Sequence, residues 1–240
     1  MDQATQVAVR ASADRGSTQL DWLASRHTFS FGEYWDPRWQ SFYSLRVIND
    51  DIVAPGSGFG MHGHRDMEII TVVLSGALQH RDSLGNGEVI VPGEVQVMTA
   101  GAGIRHSEFN PSTEEPVHLL QIWIEPSRKG LPPFYAQRVF AEELRRNRLC
   151  RVAGPVADDG ALLINQDANL FISSLNPGAS ARHQLTAQRV AWLHVARGEV
   201  VSNGSTLRSG DAVGYTGAGE IKIEASKASE ILLFDLAHVS

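Results

Sequence analysis

The chain has 240 residues, of which 42% are hydrophobic and 20% charged, ordinary globular values that fit one large domain or two of about 120 residues. Formal net charge is −6, and the basic residues are scattered apart from Arg145, Arg146, Arg148 and Arg151; direct nucleic-acid binding, which needs a concentrated basic face, is not expected. Cys150 is the one cysteine, so no intrachain disulfide can form, which fits a reducing compartment.

The N-terminal segment MDQATQVAVRASADRGS lacks an apolar stretch of the secretory type. Apolar runs such as HLLQIWI are far too short to cross a bilayer as a helix. The expectation is a cytoplasmic protein with no membrane partner.

From Phe42 to Glu125 the chain reads as successive strands. Phe42-Tyr-Ser-Leu-Arg-Val-Ile48 and Glu68-Ile-Ile-Thr-Val-Val-Leu74 are rich in β-branched and aromatic residues, and the second ends at Ser75-Gly76. Ala77 to Asp82 leads into Ser83-Leu-Gly-Asn-Gly87, a hairpin signal because Asn-Gly tolerates positive φ. Pro92-Gly93 marks a further turn, and His118-Leu-Leu-Gln-Ile-Trp-Ile124 closes the block. Pro126, Gly130, Pro132 and Pro133 suggest a connector, followed by one short helix around Phe140-Ala-Glu-Glu-Leu-Arg-Arg146. Strand-like segments resume near Leu162, Leu170, Val190, Glu199, Ala212, Glu220 and Ile231.

The second half repeats the turn residues of the first. Ser75-Gly76, Asn86-Gly87, Gly93-Glu94 and Thr99-Ala-Gly-Ala-Gly103 resemble Arg197-Gly198, Asn203-Gly204, Gly210-Asp211 and Tyr215-Thr-Gly-Ala-Gly219, in the same order and at nearly constant offset. A duplicated β-unit follows: an all-β chain of two tandem barrels joined by a short helical connector, with domains at 1–130 and 131–240.

Two short motifs carry the chemistry: His62-Gly63-His64 and His106-Ser107-Glu108. Alternate residues of a strand share a face, so each motif can aim two ligands into one barrel interior. Three neutral imidazoles and a carboxylate suit a divalent transition metal and leave coordination positions open for chemistry. Glu68 also has the right parity, but it lies about 13 Å beyond His64 on an unbroken strand at roughly 3.3 Å per residue, so it reaches the metal only if the chain turns. Otherwise it is a rim carboxylate that orients a ligand imidazole. Gly56 and Gly103, upstream of the two motifs, let the backbone turn at the barrel rim.

Gly56-x5-His62-x-His64-x3-Glu68 and Gly103-x2-His106-x3-Asn110 resemble the two cupin motifs, with Gly76 one residue late and Gly101 where a proline is usual. Longer runs resemble the pirin family of bicupins. They are His27-Thr-Phe-Ser-Phe31, Leu45-Arg-Val-Ile-Asn-Asp50, Gly58 to Glu68, His80-Arg-Asp-Ser83, Met98 to Glu108 and Gln121-Ile-Trp-Ile124. The resemblance is strong over about residues 20 to 140 and weaker beyond. It implies a jelly-roll-like bicupin with metal in the N-terminal barrel at His62, His64, His106 and Glu108. It further implies a quercetin 2,3-dioxygenase activity, with iron(II) the expected metal and Zn, Cu, Mn, Co and Ni as alternatives.

In that reading a flavonol and dioxygen are the substrates, Glu108 accepts the flavonol proton, and Phe29, Phe31, Met61 and Trp123 are candidates for an apolar cavity. Met61 alternates with the histidines and should face away. The competing implication is a regulatory protein that acts through protein partners. By repeat offset His106 maps to Lys222, Glu108 to Glu224 and the His pair to the region of His183, which implies a second barrel without metal.

Overall fold

The computed structural model describes residues 3–238. They form a nearly all-β chain: β1 (Thr5–Arg10), β2 (Gly16–Gln19), β3 (Leu23–His27), β4 (Leu45–Val53), β5 (Gly58–His64), β6 (Glu68–Ser75), β7 (Leu78–Asp82), β8 (Gly87–Ile90), β9 (Glu94–Thr99), β10 (Ile104–Phe109), β11 (Val117–Ile124) and β12 (Phe134–Val139). A one-turn helix α1 (Glu142–Arg145) follows. Then come β13 (Cys150–Gly154), β14 (Leu162–Leu163), β15 (Ala168–Leu175), β16 (Ser180–Leu185), β17 (Arg189–Arg197), β18 (Glu199–Ser202), β19 (Ser205–Arg208), β20 (Ala212–Thr216), β21 (Gly219–Ala225) and β22 (Ser229–Ala237). Among the described residues no helix is long and apolar enough to cross a membrane.

The strands gather into two compact units, one built from Gly16–Phe140 with Leu162–Gln166, the other from the described residues up to Arg15, Ala141–Ala161 and the described residues from Asp167 on. This differs from the boundary read at residue 130. The first strand leaves its sequence neighbours: β1 pairs antiparallel with β20, with Val9 opposite Val213. At the other end β12 pairs with β9, so the chain to Phe140 stays with the first unit. Both shifts are non-local pairings, which local pattern does not reveal.

In the first unit one sheet has the order β12-β9-β6-β11-β4-β3-β2 and the other β5-β10-β7-β8. Strand β6 lies inside the larger sheet and is buried from Glu68 to Leu74, as a β-branched run covered on both faces should be. Leu23, Val53, Val73, Val117 and Leu119 of the large sheet share a core with Leu78 and Ile90 of the small one. Ile69 and Met98 meet Ile104 in a second cluster. These contacts pin the small sheet against the large one.

Glycines shape the turns that launch the site strands. Gly56 and Gly103 have φ of 64° and 137°, the conformations that the sequence reading asked of them. Gly101 has φ of 48°; a proline there would need φ near −65°, which explains the departure from the usual motif. Its carbonyl accepts the Asp66 N–H at 2.9 Å, and a Cβ at this position would collide with the Leu131 carbonyl.

The second unit has sheet orders β1-β20-β17-β22-β15-β13 and β16-β21-β18-β19. Its hairpin at Asn203-Gly204 has both residues at positive φ, the two-residue turn that Asn-Gly favours. Asn86-Gly87 is different: it ends a longer loop in which Gly85 takes φ of 96°. The interior of this unit is an apolar cluster that includes Leu185, Ile221 and Ile223. The offset mapping of His106 to Lys222 and Glu108 to Glu224 is therefore corrected. Lys222 and Glu224 point outward and pair with each other at 2.8 Å, while their neighbours Ile221 and Ile223 take the inner face. A shift of one residue reverses every side chain of a strand.

Gly101→Pro should destabilise the protein by more than about 1 kcal/mol, whereas Gly63→Ala, at a position with ordinary φ and no close neighbour for a Cβ, should cost far less. Guanidinium denaturation of the two variants measures the difference.

Candidate metal centre

Strands β5 and β10 pair antiparallel, with His62 opposite His106 and His64 opposite Ile104. Beyond His106 the register slips, because Glu108 faces Phe59; β5 carries one extra residue there, a bulge of the kind that re-aims side chains beside active sites. Ring centroids lie 4.7 Å apart for His62 and His64, 4.4 Å for His62 and His106, and 4.8 Å for His64 and His106. One nitrogen from each of the three rings falls within 4.8 Å of the others.

The nitrogens are prepared as donors of electron pairs. His62 Nδ1 lies 2.8 Å from the Gly60 carbonyl oxygen; a carbonyl only accepts, so Nδ1 carries a proton and Nε2 is the nitrogen left to bind a cation. Burial lowers the pKa of His64 to about 4 and of His106 to about 2, assisted by the other imidazoles. Both rings are neutral at physiological pH, the state that binds a cation. His106 is fully buried, and its Nε2 has no hydrogen-bond partner among the described residues. A buried polar atom left unmatched is costly, and one set against two further imidazoles fits a ligand to a cation. The donor set therefore suits a transition metal.

Glu108 is 3% exposed. Burial pushes its carboxyl up to about 7, partly offset by the Gln121 amide and reinforced by Asp51. Gln121 Nε2 lies 2.9 Å from each Glu108 oxygen, and Thr71 Oγ1 donates to Gln121 Oε1 at 2.8 Å. The hydroxyl thus fixes which way the amide points, and the amide holds the carboxylate. Asp51 is likewise raised to about 7, chiefly by burial.

Glu68 is fully buried on β6, in the other sheet. It accepts Thr99 Oγ1 at 2.8 Å and Asn165 Nδ2 at 3.4 Å. Those bonds tie down an interior carboxylate rather than orient a ligand imidazole.

The sequence reading passed over two site residues. His80 on β7 is fully buried, and with His106 and Glu108 it forms a second group of ligand-type atoms within 4.8 Å. Its signal was the i, i+2 pair His80-x-Asp82, read only as part of a family motif. Gln121 shares its face of β11 with Trp123; its run was read as a strand and as part of a family motif, without a role for the amide.

Of the aromatic candidates, Trp123 packs edge-on to His64 with centroids 4.9 Å apart, and Phe31 packs edge-on to Trp123 at 5.4 Å. Phe29 is 1% exposed and belongs to the core, while Met61 is 51% exposed, as the alternation along β5 required.

Comparison with known proteins agrees with this architecture. A family model described as Pirin matches residues 8–124, and one described as quercetinase C-terminal cupin domain matches residues 151–236. A quercetin 2,3-dioxygenase of Escherichia coli (strain K12) is 45% identical over 97% of this chain and 100% of its own length. The crystal structure of YhhW from Escherichia coli superposes with a TM-score of 0.93 at 44% identity, covering 97% of this chain and 98% of that one. A structure of bacterial pirin YhhW in complex with nickel(II) superposes with a TM-score of 0.92 at 45% identity, over 97% and 99% of the two chains.

Gln121→Leu removes the amide that favours the charged form of Glu108, so the carboxyl should titrate above about 7. The buried carboxyl and the Thr71 hydroxyl lose their partner, at a cost of about 1–3 kcal/mol. Infrared detection of the protonated carboxyl band against pH, with urea unfolding of both proteins, checks both outcomes.

Proposed function

The chain belongs to the pirin family, and we propose that it is a metal-dependent dioxygenase that opens the heterocyclic ring of a flavonol such as quercetin. The carrying observation is the buried, partnerless Nε2 of His106 beside two further imidazoles, in a chain 45% identical to a protein named quercetin 2,3-dioxygenase.

His62, His64, His106 and Glu108 are the residues that would hold the metal. When bound, a divalent transition ion supplies Lewis acidity that lowers the pKa of a coordinated hydroxyl and, if redox-active, eases the reaction with dioxygen. Three imidazoles and a carboxylate accept Fe(II), Mn, Co, Ni, Cu or Zn; we propose iron, which elemental analysis of protein purified without added metal decides.

The protein's own groups account for the remaining roles. Glu108 is the group placed to accept the 3-hydroxyl proton of the flavonol, and Gln121 keeps its two oxygens in place. Trp123 and Phe31 offer aromatic edges and faces to flat rings. The buried Trp123 Nε1, without a partner among the described residues, is a donor for a substrate oxygen. The ring opens with uptake of dioxygen and release of carbon monoxide. A single cysteine, Cys150, suits a reducing, cytoplasmic setting.

Metal-loaded protein in air should bleach the flavonol absorption band of quercetin and release carbon monoxide. His62→Ala and His106→Ala should each lower the rate by about 100-fold or more. Bleaching that persists in both variants would remove the proposed centre as its cause. Metal-loaded protein that leaves quercetin untouched would favour the binding-protein reading instead.

Metal uptake should also depend on pH in a definite direction. A ligand carboxyl with a pKa near 7 must release its proton on binding, so apparent affinity should rise with pH up to about 7 and then level off. His64 and His106, at about 4 and about 2, are already neutral across this range and add no slope. Glu108→Gln should make the dependence shallower by one proton, roughly tenfold in affinity per pH unit, as isothermal titration against pH reads directly.

A further inference from the structure

Strand β7 lies beside β10, with His80 opposite Glu108 and Asp82 opposite His106. The side chains of His80 and Asp82 are both fully buried, and His80 Nε2 lies 3.2 Å from Asp82 Oδ2. Three further N–H donors converge on the Asp82 carboxylate: Leu84 N at 2.8 Å, Asn86 N at 3.1 Å and Asn86 Nδ2 at 2.8 Å. A carboxylate so surrounded acts as an acceptor. His80 therefore carries its proton on Nε2 and leaves Nδ1 as a lone pair. That lone pair faces His106 Nδ1 at 3.5 Å. Two bare nitrogens would repel there, so His106 carries its proton on Nδ1. In a neutral imidazole this bares Nε2, across the ring, and Nε2 is the buried atom with no partner. Tyr135 stacks on the His80 ring at 4.9 Å between centroids and 27° between planes, which keeps the ring in this orientation.

We propose that His80, oriented by Asp82, is a positioning residue that locks His106 in its Nδ1–H tautomer and so presents Nε2 to a metal. The proposal rests on the reading of His106 as a ligand. It agrees with a general pattern: a metal-bound imidazole almost always has its second nitrogen anchored by an acceptor. Here the acceptor is another imidazole, itself anchored by a carboxylate. The long loop after β7 also gains a purpose, since its backbone N–H groups hold Asp82.

Two measurements test this. Nitrogen-15 NMR of the metal-free wild-type protein reads the His106 tautomer directly, without any substitution. The Nδ1–H form supports the proposal, and a predominant Nε2–H form overturns it. Nickel(II) titration then compares variants. His80→Leu should weaken binding roughly 10- to 100-fold and give mixed tautomers at His106. His80→Asn, whose side-chain oxygen stands where Nδ1 accepts, should recover most of that loss, which a merely space-filling role for His80 would not produce. Wild-type affinity in His80→Leu, with affinity lost in His106→Ala, overturns the proposal and leaves the ligand reading standing. Full affinity in His106→Ala overturns the ligand reading and the proposal together.

Discussion

The chemistry depends on the antiparallel pairing of β5 with β10. Strand parity puts His62 and His64 on one face of β5, and His106 and Glu108 on one face of β10. The ladder then sets His106 directly opposite His62, at a spacing where cross-strand side chains meet. The bulge opposite Ser107 adjusts the approach, so that Glu108 sits deeper, against Gln121 of the facing sheet and His80 of the neighbouring strand. Because β10 lies inside its sheet, between β5 and β7, it receives support from both sides.

The first unit carries a polar row beside its apolar clusters. Across its larger sheet His27, Asn49, Gln121, Thr71, Gln96 and Gln137 stand in register, one per strand. Register partners share a face, and Gln121 shows that this face looks toward Glu108. Burying such a row is unfavourable unless its members are matched, and several are: His27 Nδ1 with Asn49 at 2.8 Å, Thr71 with Gln121, and Gln121 with Glu108. The second unit, with corresponding sheets, packs its inner face with Leu185, Ile221 and Ile223. One architecture thus hosts both a reactive interior and an inert core, and only side chains distinguish them.

The turns show how local chemistry and site geometry are linked. Gly101 and Gly103 at positive φ start β10 at the angle that its histidine needs. The loop after Asp82 is longer than a two-residue Asn-Gly turn, and the difference frees three N–H donors for one carboxylate. Loop length and the order of the histidine network are therefore one feature.

The amino-acid sequence by itself determined that the chain is all-β and built from two similar units, and it placed His62, His64, His106 and Glu108 on common faces. It could do so because turn residues and a period of two are local properties of the chain. Tertiary structure alone decided the rest. It moved β1 to the second unit and brought His80 to His106. It set Gln121 on Glu108 and tied Glu68 to Thr99 and Asn165. It also turned Lys222 outward where a constant repeat offset pointed inward. Each of these outcomes rests on which strands pair and in what register, and a shift of one residue in that register reverses every side chain it concerns.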